Sequence, residues 1–299
     1  MTTQKRITPC LWFDTEAEEA AKFYTGLFAK SEIGTISRFG KEGFEFHRKP
    51  EGSVMSVNFK LKGQDFMALN GGTEYKFSPS ISFFVVCESI AEVDLVWDTL
   101  LAGGSSMMAL DKYEWSEKYG WLNDKYGISW QISYGKIDEV GQKFTTTFMF
   151  VGDQFGRAEE AIHFYTSIFK NSKIQGILKY NEADGDIPGK VKHAQFKLLG
   201  QTFMAMESSL VHAFNFTPAI SQMVYCDTQE EIDHYWDSFT SEGEEVQCGW
   251  LVDKFGVSWQ ILPRMLEREM ADPEKSRKLT AAFLPMKKMI IKTLEEAIA

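Results

Sequence analysis

The 299 residues carry 32 Lys and Arg against 42 Asp and Glu, a formal net charge of −10, with 44% hydrophobic and 14% aromatic side chains. An acidic balance argues against a nucleic-acid partner, which calls for a basic face, and no apolar run approaches the roughly 18 residues that cross a bilayer, so neither partner is expected. The start MTTQKRITPC has no apolar leader stretch, the four cysteines form no CxxC pair and the five histidines form no HExxH, which leads to the expectation of a reducing cytoplasm and no tight zinc site.

Taken in order, ITPCLWFD reads as a strand and residues 17–28 as a helix with Ala17, Ala20, Ala21, Tyr24, Leu27 and Phe28 on one stripe. SVMSVNFKL and QDFMALN follow as strands around a Lys62-Gly63 turn. SISFFVVC is a strand, 89–102 a helix ended by Gly103-Gly104, and YGWLND and GISWQISY close the stretch as strands. The pattern then repeats. AEEAAKFYTGLF at 17–28 returns as AEEAIHFYTSIF at 158–169, LKGQDFMAL at 61–69 as LLGQTFMAM at 198–206, and DKYGISWQI at 124–132 as DKFGVSWQI at 253–261, with Trp97 matched by Trp236. The offsets drift (141, 137, 129 and 139), as expected of two homologous copies with loops of different length. The largest difference is ALDKYEWSEKYG at 109–120, a lid candidate. The predicted division is 1–138, 139–263 and a tail 264–299, in which Asp272-Pro273 starts a helix, Pro285 interrupts it and KKMIIKTLEEAIA forms the last helix. So apolar a tail must dock on its own domains or on a second subunit, and a homodimer is expected.

The order of these motifs, with QCGWLVDKFGVSWQI at 247–261 and the tail ADPEKSRKLTAAFLPMKKMIIKTLEEAIA, resembles the vicinal-oxygen-chelate superfamily of glyoxalase I, bleomycin-resistance proteins and extradiol dioxygenases. Within it the chain is similar to the PhnB-like branch, often labelled 3-demethylubiquinone-9 3-methyltransferase. The resemblance implies an α+β fold. Each copy is expected to be a curved mixed sheet of eight strands, built from two paired βαβββ modules, followed by C-terminal helices. The methyltransferase label finds no support in the residues, because a doubly wound methyltransferase needs a Gly-rich strand-to-helix turn that is not seen.

The resemblance also implies where a divalent metal would sit. Those positions fall near Pro9 and Thr146, Ser80 and Ala219, Asn70 and Glu207, and Gln131 and Gln260. Copy one offers no strong ligand; copy two offers Glu207, with His193 on the preceding strand where copy one has Ser56. No cofactor is therefore expected, a metal in copy two being the alternative. His193 and Glu207 are the candidate catalytic pair, and each has a bland reading as a satisfied strand side chain. Cys87, Cys226 and Cys10 read as buried small hydrophobes, and Cys248 beside Gly249 as a weak reactive candidate. Strand alternation places Trp130 and Gln131, and Trp259 and Gln260, on opposite faces. If the glutamines face the cavity, Trp121 and Trp250 become the ligand-stacking candidates. A small-molecule ligand is expected inside copy two, against Trp250, Gln260, His193 and Glu207, with Trp121 and Gln131 as the counterparts in copy one. Three functions stay open: a small-molecule binder, a metal-dependent lyase, isomerase or dioxygenase working in copy two, and a dimeric scaffold.

Overall fold

A computed structural model of the chain describes residues 7–41 and 43–299. They form four βαβββ modules. The first holds β1 (Ile7–Phe13), α1 (Ala17–Leu27), β2 (Glu32–Arg38), the one-turn α2 (Phe44–His47), β3 (Val54–Leu61) and β4 (Gln64–Asn70). The second holds β5 (Ile81–Cys87), α3 (Ile90–Leu101), β6 (Ser105–Tyr113), β7 (Ser116–Asn123) and β8 (Ser129–Tyr134), with α4 (Ile137–Val140) as the link onward. The third holds β9 (Phe144–Phe150), α5 (Ala158–Ile168), β10 (Lys173–Lys179), β11 (Val191–Leu198) and β12 (Gln201–Glu207). The fourth holds β13 (Ile220–Cys226), α6 (Gln229–Thr240), β14 (Glu244–Glu245), β15 (Trp250–Val252) and β16 (Ser258–Pro263). The tail adds α7 (Met265–Glu269), α8 (Pro273–Phe283) and α9 (Ile291–Ile298).

The two copies of the sequence are not the two units of the structure. Sheet order β14-β15-β16-β13-β1-β4-β3-β2 joins the first module to the fourth, and β10-β11-β12-β9-β5-β8-β7-β6 joins the second to the third. One compact unit runs through Lys76 and resumes at Pro218–Ala299; the other is the continuous segment Phe77–Thr217. The expected sheets within 1–138 and within 139–263 are therefore corrected: each sheet draws one module from each copy. First strands meet antiparallel in both, Ile7 opposite Val224 and Ile81 opposite Phe148. The physical reason is that every module ends its pairing at an open first-strand edge, and any two such edges can satisfy each other. The lid candidate at 109–120 is instead part of the β6–β7 hairpin, with exposed Trp115 at its tip stacked on Tyr113.

Local chemistry explains the elements. Ser89 and Thr228 accept the N–H of Glu92 and Glu231 to open α3 and α6, and those glutamates in return accept the N–H of Glu88 and Asp227. The repeated DKYGISWQI and DKFGVSWQI are one buried lock used twice. Asp124 Oδ1 accepts from the N–H of Tyr126 and Ile128 while Oδ2 accepts the Trp130 indole N–H at 2.8 Å; Asp253 does the same for Phe255, Val257 and Trp259. Gly127 and Gly256 both stand at φ +89°, which this turn requires and a Cβ resists. Trp130 packs on Phe83 and Trp259 on Phe239, under the helices.

The tail docks within its own unit. Asp272 caps α8 by accepting from Glu274 and Lys275, and α9 starts at Ile290 with no side-chain cap; Gln229 clamps the turn by donating to Met289 O and accepting from Ile291 N. Leu279, Met289 and Leu294 are buried there, so these apolar residues do not by themselves require a second subunit. Among the described residues no helix is long and apolar enough to cross a membrane.

Two outcomes are expected. Asp124→Ala strands three N–H donors and loses about 2–4 kcal/mol of unfolding free energy by urea titration, with Asp124→Asn losing less. The segment 77–217, expressed alone, gives a cooperative unfolding transition, whereas 1–138 does not, as read by circular dichroism during urea titration.

Candidate functional site

The face of each sheet turned away from its helices is where a ligand would meet side chains. In the continuous unit the sides are told apart by packing: a Cβ at Gly120 would lie 2.3 Å from Trp97 of α3, so Gly120 is on the helix side and its neighbours Tyr119 and Trp121 are on the other. Register carries that side across the sheet. Trp121 lies opposite Gln131, Gln131 beside Phe84, Phe84 opposite Thr145, and Thr147 beside Met204. One step beyond the Ala194–Ala205 pair come His193 and Met206. On this face Tyr119, Trp121 and Met149 are buried with Val151, and Phe84, Met108, Tyr113, Met206 and Phe214 pack against them while half exposed. The result is an apolar, aromatic and thioether-lined surface with a few polar groups, the composition of a small-molecule site.

Those polar groups are ordered. The Tyr119 hydroxyl donates to Gln131 Oε1 at 2.8 Å, and Gln131 Nε2 donates to Ser82 Oγ at 2.8 Å. Trp121 donates its indole N–H to Ser129 Oγ at 2.7 Å, which fixes the ring plane. Burial pushes the Tyr119 hydroxyl well above the ordinary phenol range, so it keeps the proton that it donates to Gln131. Burial alone lowers the His193 pKa and keeps its imidazole neutral at pH 7.

The candidate residues are thus divided. His193, Trp121 and Gln131 share this face of the continuous unit. Trp250 and Gln260 lie on the corresponding face of the other unit. Glu207 is on the helix side of its sheet: Oε2 accepts the N–H of Gly156 at 2.7 Å and of Ala158, and Oε1 accepts Val191 N–H at 2.6 Å. It closes the N-terminus of α5, which has no local side-chain cap, as Asn70 Oδ1 does for α1 through Ala17 N–H. The expected pocket of Trp250, Gln260, His193 and Glu207 is therefore not assembled, nor is the His193–Glu207 pair. The reason is parity: Met206, not Glu207, is level with His193. Of the positions that the resemblance assigned to a metal, Gln131 is on this face, while Thr146 and Glu207 are on the helix side; the face beside Gln131 presents Ser82, Thr147 and Met204, and no group of three His, Cys, Asp or Glu gathers among the described residues. Hydroxyls, a thioether and an amide do not fit a divalent-metal donor set.

The other unit repeats the design and then covers it. Gln260 Nε2 donates to Ser221 Oγ at 2.9 Å, and the buried Cys10 thiol beside them is pushed up to about 12 by desolvation. Trp250 meets Trp12 edge-on at 5.9 Å, and Trp12 meets Tyr75 at 5.0 Å. Tail residues only two or three apart touch loops beside both edges of this sheet, and the residues that follow are held by α6. Cys248 and Gly249 donate their N–H to Met286 O and Lys287 O, and a Cβ on Gly43, near the opposite edge, would lie 2.6 Å from Leu284. Burial raises the Cys248 thiol to about 11, which argues against a reactive thiolate. A shallow cleft of about 420 Å³ beside α7 is lined by Asp227, Arg264 and Glu267, but Arg264 already pairs with both acids at 2.6 and 2.9 Å. Sequence reasoning missed Ser82 and placed Tyr119 only in the lid candidate, although Tyr119 stands two residues from the candidate Trp121 on the same strand.

A pH test follows from His193. Its folded pKa lies below the ordinary 6.5, so as pH falls through that value the unfolded chain takes up a proton that the folded chain refuses. Wild type should lose stability relative to His193→Gln as pH drops from about 7.5 to about 5.5, measured by urea midpoints.

Comparison with known proteins places this geometry. The family model described as 3-demethylubiquinone-9 3-methyltransferase matches residues 5–133 and again 142–262. Protein YjdN of Escherichia coli (strain K12) is 25% identical over 144 residues, 44% of this chain and 95% of that protein. A PhnB protein from Bacillus cereus is 42% identical over 44% of this chain and 100% of its own, with a TM-score of 0.40. Glyoxalase I from Zea mays, only 10% identical, covers 89% of this chain and 95% of its own with a TM-score of 0.57, a likeness of fold.

Proposed function

We infer, from the premise that the chain belongs to the family described as 3-demethylubiquinone-9 3-methyltransferase, that it is a small-molecule-binding protein whose working site is the non-helical face of the continuous unit. The observation that carries this is the convergence of Tyr119, Trp121 and Met149 with half-exposed Phe84, Met206 and Phe214 on one face. A surface of that kind binds flat apolar molecules by area burial and stacking. The equivalent face of the other unit is bridged by its own tail, so the continuous unit is the better host.

A metal-dependent enzyme working through His193 and Glu207 is not favoured, because the two side chains stand on opposite sides of the sheet. Methyl transfer is not favoured either. None of the four strand-to-helix connections, at 14–16, 88–89, 151–157 and 227–228, carries the G-x-G-x-x-G turn of a doubly wound nucleotide site.

The test uses the full chain and the uncharged fluorescent probe N-phenyl-1-naphthylamine, with a panel of aromatic and dicarbonyl compounds as competitors. Trp121→Ala should weaken probe binding by about tenfold or more, on the order of the energy of one buried aromatic contact. Trp250→Ala should leave it unchanged. The reverse pattern moves the site to the other unit.

A further inference from the structure

The face assigned above has two properties that say what kind of molecule it takes. The first is the absence of charge. Asp111, opposite Tyr119, and Lys197, opposite Thr202, flank the patch on its outer strands; between Trp121, Gln131, Thr145, Met206 and His193 no strand position on that face holds Asp, Glu, Lys or Arg. His193 itself reports this: burial is the only influence on its protonation, with no charged neighbour contributing. A carboxylate or phosphate entering this patch would lose its water and meet no counter-charge inside it, which disfavours an anion there.

The second property is a set of unspent hydroxyls. The Gln131 amide is committed on both sides, to Tyr119 and to Ser82. Ser82 is therefore the end of a one-way donor chain. Its oxygen accepts from Gln131, and among the described residues its own O–H has no recipient, so this fully buried donor is unspent. Thr145, in the same row as Phe84 and Gln131, is fully buried and its Oγ1 has no hydrogen-bond partner among the described residues. A buried hydroxyl without a partner is a destabilising feature unless something supplies the bond. Both hydroxyls lie beside the aromatic and thioether wall, and each can donate to an oxygen lone pair.

We propose that this face takes an uncharged aromatic molecule bearing a carbonyl or hydroxyl oxygen, its ring against Trp121 and Met149 and its oxygen on Ser82 and Thr145. This rests on the binding reading given above and narrows it to a ligand class. Trp121 is held in plane by Ser129, so the ring wall is preformed. The neutral His193 imidazole completes the patch without adding a charge.

The experiment is calorimetric titration of the full chain with a matched pair, acetophenone and benzoate, which share a ring and differ in charge. Acetophenone should bind at least about tenfold more tightly at neutral pH, a difference of about 1.4 kcal/mol. Ser82→Ala should weaken acetophenone about fivefold, the scale of one neutral hydrogen bond, and Thr145→Val should do likewise while leaving benzoate unaffected. Equal or tighter binding of benzoate, or no heat with acetophenone at millimolar concentration, overturns the ligand class. If the class alone is wrong, N-phenyl-1-naphthylamine still binds in a manner lost in Trp121→Ala. If that dependence on Trp121 is also missing, the binding reading itself is wrong.

Discussion

Everything in this molecule depends on the edge of one strand. A βαβββ module pairs its first strand with its fourth and leaves the other side of the first strand bare, and a bare edge must be closed. Here β1 is closed by β13 and β5 by β9, both antiparallel, so that each sheet has two halves related by that central seam. The seam also decides which side chains share a face. Because β1 meets β13, Cys10 lies beside Ser221 and Gln260; because β5 meets β9, Ser82 lies opposite Thr147.

The repeated motifs serve that frame rather than the site. The aspartate of each D-K-aromatic-G motif is consumed by two backbone N–H groups and one indole, and the tryptophan so held lies in the core beneath a helix. The same economy governs Asn70 and Glu207, which end the fourth strands of their modules and close the N-termini of helices α1 and α5. Chemistry-bearing residue types at repeated positions are here structural fasteners. The recognition groups Trp121, Gln131 and Ser82 have counterparts in Trp250, Gln260 and Ser221, so what distinguishes the two copies is His193 against Ser56 and the long β6–β7 hairpin with its aromatic residues.

Local structure was legible because its causes are local. Helical stripes, capping residues and glycine turns mark α1, α3, α8 and α9 to within a few residues but not α7, and alternation puts Trp130 and Gln131 on opposite sides. The edge strands β2 and β10 escaped notice, since EIGTISR and KIQGILK are half solvated and alternate weakly. Module pairing was not legible either. The link from β4 to β5 spans 71–80 and that from β8 to β9 spans 135–143, nearly the same length, so chain connection allows both arrangements. The partnership of His193 with Glu207, read from a position that the resemblance implies and the strand before it, fails on register. Register sets His193 level with Met206, and a one-residue difference moves a side chain to the other face.

The interleaved pairing has a consequence for how the protein is made. The first module is complete once Asn70 has been synthesised, but its partner strand begins at Ile220, 220 − 70 = 150 residues later. At about 5–20 residues per second on the ribosome, β1 waits roughly 8–30 s for β13. During that interval the continuous unit, whose two modules are adjacent in sequence, emerges whole. The nascent chain thus carries a finished central unit between an unpartnered leading strand and a final module still to come. Chaperone demand should be concentrated on that leading strand, with its apolar ITPCLWF edge, rather than spread along the polypeptide.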